Sequence, residues 1–84
     1  MAVHGEVVSQ WEEVGGHYQP KLLTLDPDAQ WYDVTGQRHP EDPDPQIVPE
    51  PNTVTLYVIV ADQDAMDAIQ ADADHTVLWS EEMT

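Results

Sequence analysis

Four histidines (His4, His17, His39, His75) and 17 Asp and Glu side chains are the groups in this chain that could ligate a metal or move a proton. Imidazole nitrogens hold zinc where several ligands converge, and sequence announces that convergence through spacings such as HExxH. No two of these histidines are spaced as HExxH or HxH, and no two fall four apart on a helix. His39 lies in a Pro-rich stretch and His75 opens an apolar run, so each of the four reads as a solvated or locally bonded imidazole. Hard carboxylate oxygens suit calcium, with Asp26/Asp28, Glu41/Asp42/Asp44 and Asp72/Asp74 as the candidates. None has the alternating oxygen ligands, central Gly and distal Glu of an EF-hand loop. Asp26 and Asp28 bracket Pro27, and Asp42 and Asp44 bracket Pro43, which makes turns of both pairs. No metal or other cofactor is expected.

Nucleophilic chemistry is no better supported. There is no Cys, hence no thiolate nucleophile and no disulfide. There is no GxSxG elbow and no Gly-rich phosphate loop. Carboxylate pairs are so abundant that their presence carries no signal, and acid–base catalysis needs a cleft that shifts their pKa values. A chain of 84 residues with a thin core leaves little room for one. The expectation is a protein without enzymatic activity.

The carboxylates say more about partners. Against 17 acids stand one Lys, Lys21, and one Arg, Arg38, for a formal net charge of -15. Phosphate binding is driven by Lys and Arg that displace counterions, so direct contact with nucleic acid or an anionic membrane is excluded. The longest apolar run, Leu56–Ala61, is far short of the roughly 20 residues of a membrane helix. Met1–Trp11 lacks the basic and apolar regions of a signal peptide, so the expected location is a virion or the cytoplasm. Asp outnumbers Glu, Val is plentiful, and Phe and Cys are missing. Such a composition resembles that of proteins from salt-loving archaea and their viruses. Physically it suits molar salt, where the Debye length shrinks to about 3 Å and self-repulsion is screened.

These residues need elements to position them. The length fits one domain over residues 1–84. Glu6–Trp11, Lys21–Leu25 and Gln30–Thr35 read as three strands of a β-meander. Gly15-Gly16 turns the chain between the first two, and Asp26-Pro27-Asp28 turns it before the third. Pro20 belongs at a strand start or on an edge, because it cannot donate to a ladder. Residues 39–51, with five Pro, form an extended acidic connector whose only apolar anchors are Ile47 and Val48. Val54–Val60 is apolar at both parities, which predicts a central strand covered on both sides or nearly so. Asp62 is an N-cap for a helix over 63–71, with Met66 and Ile69 on its apolar stripe. Thr76–Ser80 is the last strand, and the connection is long enough for a crossover between parallel strands. The expected fold is α+β: a small single-layer sheet, meander first and β-α-β second, with one short helix.

Trp11 and Trp79 are expected in the core. Trp31 and Tyr32 are adjacent in a strand, so one faces in and one faces out. Exposed aromatics favour protein interfaces. Trp31, Tyr32, Ile47 and Val48 are therefore the candidate partner-binding residues. The expected function is that of a non-enzymatic structural or assembly protein. It would contact larger assembly subunits, as a small component of a tailed virus from a halophilic host. One alternative is a nucleic-acid mimic that inhibits a DNA- or RNA-binding protein through an acidic face of Asp64, Asp67, Asp72, Asp74, Glu81 and Glu82. Another is a cytoplasmic regulatory module that binds a basic partner.

Overall fold

Alternation of apolar and polar residues along Val3–Val14 makes this segment the spine of the fold, β1. The computed structural model describes residues 1–34 and 52–83. After β1 come β2 (His17–Pro20), a single helical turn α1 (Leu22–Leu25), β3 (Gln30–Asp33), β4 (Thr53–Val60), α2 (Gln63–Ala71) and β5 (Thr76–Glu82). All five strands join one sheet, and every pairing is antiparallel. Along one edge β1 pairs with β4 from Val3 to Gln10. Along its other edge it pairs first with β5, from Val3 to Val8, and then with β2, from Trp11 to Val14. The α+β class is as expected.

The N-terminal hairpin turns at Gly15 and Gly16, whose φ values of 58° and 88° are the two left-handed conformations a two-residue hairpin loop needs. Pro20 ends edge strand β2 opposite Trp11, where its missing donor disrupts no second ladder. The meander, however, does not form. Lys21–Leu25 is not a strand. The Lys21 N–H still bonds the Gln10 carbonyl (2.7 Å), but Leu22 and Leu23, unbranched at Cβ, then favour a helical turn. That turn is closed by Thr24 N–H to the Lys21 carbonyl and Asp26 N–H to the Leu22 carbonyl. It drops the Leu22 side chain, fully buried, into the core. From there the Asp26-Pro27-Asp28 turn, with Asp28 N–H on Asp26 Oδ1 at 3.2 Å, carries the chain to the far edge of the sheet. There β3 pairs with β4, not with β2.

The second half follows its sequence more closely. Asp62 caps α2 by accepting the Ala65 N–H at 2.9 Å, and Met66 and Ile69 are fully buried. Both β4 and β5 run antiparallel to β1, so they are parallel to each other, as the crossover requires. They are not neighbours, because β1 lies between them. The core is one-sided: α1 and α2 cover the face bearing Val7, Leu56 and Val58. Each such side chain contributes about 1.5–3 kcal/mol through removal from water. Thr55, Tyr57 and Ile59 of β4 point the other way and are only half-buried, so the expected double coverage of this strand is confined to one side.

Candidate functional site

No described element covers the second face of the sheet, and four of its strands place a line of rings across it. Tyr32 on β3 lies opposite Tyr57 on β4, with ring centroids 6.4 Å apart and planes tilted by 33°. Tyr57 is in turn opposite Glu6 of β1, and its ring meets the edge of His4 at 5.7 Å. On the other side His4 meets Trp79 of β5, edge to face, at 5.3 Å. The order Tyr32, Tyr57, His4, Trp79 thus crosses β3, β4, β1 and β5, with Glu6 as the β1 residue in register with Tyr57 and Trp79 and His4 two residues away on the same face. Tyr32 and Trp79 at the ends are each 40% exposed.

Trp79 was expected in the core, and a local irregularity explains its position. Glu6 pairs with Trp79 while Val7 pairs with Val77, which leaves Leu78 as an extra residue in β5. In a regular strand residues 77 and 79 would share a face. The bulge shifts the parity, so Val77 packs against the core and Trp79 emerges on the open side. Gly5 makes room for it: a Cβ there would stand 2.2 Å from the Trp79 carbonyl oxygen.

Hydrogen bonds fix the row of rings. The Tyr57 hydroxyl lies 2.7 Å from His4 Nδ1, and His4 Nε2 lies 3.2 Å from Glu81 Oε1. A carboxylate accepts, so in the neutral imidazole Nε2 carries the proton and Nδ1 accepts from the Tyr57 hydroxyl. Trp79 Nε1 donates to Glu6 Oε1 at 2.9 Å. Each carboxylate spends one oxygen on the face, and among the described residues nothing engages the other. A depression of about 390 Å³ beside this network is lined by His4, Glu81, Glu82 and Met83. The histidines are therefore neither all solvated nor all locally bonded. His4 bridges residues far apart in sequence, and so does His75.

His75 belongs to a second constellation, inside the core. Its Nε2 is 3.1 Å from Ser9 Oγ, and its Nδ1 is 3.7 Å from Asp72 Oδ1. The order Ser, His, Asp resembles a hydrolytic triad in residue type. Ser9 and the His75 side chain are fully buried, however. Ser9 Oγ also accepts the Leu22 N–H at 3.3 Å and lies 3.1 Å from the Gln10 carbonyl. Nothing the size of a substrate reaches it. The group ties β1, the start of α1 and the turn before β5 together. Around it the Asp74 backbone N–H, at 2.8 Å, together with His75 and Lys21, holds the Asp72 carboxyl below its ordinary pKa. The Asp74 carboxylate, 2.5 Å from Lys21 Nζ, raises that ammonium above its ordinary value.

The residues singled out in the sequence separate. Trp31 is 8% exposed and meets Trp11 edge to face at 6.3 Å, so it is a core residue. Its neighbour Tyr32 is the outward member of the pair. Ile47 and Val48, with the connector 39–51, lie outside the described residues. The six carboxylates of the alternative acidic face do not share one face. Asp64 and Asp67 ride on α2, Asp72 and Asp74 are engaged in the turn after it, and Glu81 is on the opposite, open side of the sheet. Asp26 and Asp72, from the carboxylate pairs weighed for calcium, accept backbone N–H groups, as Asp62 does in capping α2. Among the described residues no three His, Asp or Glu converge as a metal site would require. A cleft of about 480 Å³ between α1, β3 and the start of α2 is lined mainly by Leu25, Ile59, Ala65 and Ala68, with Asp28 and Asp62 at its polar margin.

The row of rings is the feature that sequence reading missed. Its signal was present in β1, where His4, Glu6 and Gln10 alternate with Val3, Val7 and Trp11. No described helix is long and apolar enough to cross a membrane. No family model, curated protein or solved structure matches this chain.

Proposed function

We propose that this protein is a non-enzymatic assembly module that docks onto other proteins through the open face of its sheet. The observation that carries the reading is the row Tyr32, Tyr57, His4 and Trp79, held ring against ring on a face that no described element covers. Rigid amphipathic rings supply contact area at little entropic cost, and they are enriched where proteins meet. The bulge at Leu78 supports the same conclusion. It brings a large aromatic out of a core that would otherwise gain from it. Small size and a carboxylate coat fit a component seated among larger subunits, and composition is what supports a virion in a saline habitat. The mimic reading lacks comparable support, since its carboxylates are divided between the two sides of the sheet.

Affinity capture from the source organism, using the wild-type chain and two fold-preserving variants, tests the docking face. Partners held by wild type should be lost with Tyr32→Ser/Trp79→Ser and kept with Asp64→Asn/Asp67→Asn. The reverse pattern would move the contact to α2 and overturn the proposal.

A further inference from the structure

Resting on that reading of the open face, we propose that its occupant is an arginine-bearing segment of another protein, with the guanidinium stacked on the Tyr57–Trp79 row and bonded to Glu6 and Glu81. Three observations select this chemistry. The ring row reaches solvent, with Trp79 40% exposed and Tyr57 half-buried, and an exposed aromatic face attracts a planar cation. The two carboxylates are already aimed: Glu6 is tied through Oε1 to the Trp79 indole and Glu81 through Oε1 to His4, which leaves Oε2 of each for an incoming donor. The charge of the chain, -15, repels a second copy and attracts a basic segment. Arginine fits better than lysine. Its guanidinium stacks, forks onto carboxylate oxygens, and gives up its weaker hydration more readily. Stacking also matters for the environment that the composition suggests. In molar salt long-range attraction is screened beyond about 3 Å, so a contact that includes ring faces outlasts one made of charge alone.

Charge also favours an occupant from another protein over an acidic segment. Residues 39–51 carry Glu41, Asp42, Asp44 and Glu50, which the carboxylates of the face repel. Arg38 is the one internal guanidinium and needs its own control.

The test is a titration of the full chain with a tetra-arginine peptide and its neutral tetra-citrulline analogue, followed by amide and indole NMR shifts at 0.15 M salt. With tetra-arginine, shifts should concentrate on His4, Glu6, Tyr32, Tyr57, Trp79 and Glu81, and the Trp79 indole N–H should move as Glu6 is shared. Citrulline should leave them in place. Glu6→Gln/Glu81→Gln keeps a carbonyl oxygen for both internal bonds and should weaken binding by about tenfold, the scale of one charge-assisted hydrogen bond. Equal shifts on Asp62, Asp64 and Asp67 of α2 would reveal diffuse counterion binding and overturn the proposal. Equal binding of citrulline, or tighter binding by Arg38→Gln, would also overturn it, the latter by showing that the guanidinium comes from within. Shifts that follow protein concentration would assign the face to a second copy. If the peptide fails while Tyr32→Ser/Trp79→Ser still abolishes partner capture, the docking face stands and only the cationic occupant falls.

Discussion

Ser9 is the residue on which the interior depends most. A hydroxyl at the middle of the central strand is expensive to bury unless bonded. Here Oγ meets His75 Nε2, the Leu22 N–H and the Gln10 carbonyl within 3.3 Å. Ser9→Ala removes that hub and leaves the Leu22 N–H and a ring nitrogen sealed from water, at about 1–3 kcal/mol for each group left unpaired. Chemical denaturation should show a loss of at least about 2 kcal/mol, the low end for two unpaired groups, with an unchanged slope. A loss under 0.5 kcal/mol would mean that water or a shifted backbone satisfies the site and that the triad-like group is not a structural pin. No local pattern announces this contact, because Ser9 and His75 are 66 residues apart. A lone Ser within an apolar alternation and a His before an apolar run each read as unremarkable until topology brings them together.

At the scale of elements, the bulge in β5 is the device that separates core from docking face. It depends on Gly5, whose missing Cβ admits the Trp79 carbonyl. Gly5→Ala leaves the turn chemistry and the buried apolar set untouched, yet forces β1 and β5 apart where they cross. The expected outcome is a destabilisation of about 1–3 kcal/mol, the range for overpacking a tight site. Fluorescence of Trp79 should change with it, since the indole loses its bond to Glu6. Unchanged emission and stability would show that the bulge is incidental. The elements differ in how much of this was legible. Asp62 with Met66 and Ile69 specified α2 to the residue, because capping and periodicity act within one turn. Gly15-Gly16 fixed the first turn for the same local reason, although the strand after it is His17–Pro20 and not Lys21–Leu25. The run from Lys21 to Leu25 was misread because a short apolar stretch suits a strand or a helical turn equally, and burial of Leu22 decides between them. The partner of β3 and the bulge are non-local choices. They depend on which strand edge is free once β2 and β5 have shared the same side of β1.

The whole molecule carries 17 carboxylates against two Lys and Arg side chains, and this imbalance acts on every element at once. Among the described residues Lys21 makes the one Lys or Arg bridge, to Asp74, and an exposed bridge is worth only about 0.2–1 kcal/mol. Salt weakens that bridge and weakens the mutual repulsion of the carboxylates, so the sign of its net effect follows the larger sum. With so few cations repulsion is the larger, and added NaCl must stabilise the fold. Each kcal/mol of repulsion relieved should raise Tm by about 4–8 °C for a domain of this size. The shape of the curve identifies the cause. Screening falls from a Debye length of about 10 Å at 0.1 M to about 3 Å at 1 M and has little left to give beyond that. A melting series from 0.05 to 3 M NaCl should therefore rise steeply at first and flatten near 1 M. A Tm that instead climbs linearly through the molar range would assign the stabilisation to salt excluded from the protein surface. A flat or falling Tm would mean that the carboxylates are already neutralised pair by pair, which the near absence of cationic side chains makes physically untenable for this chain.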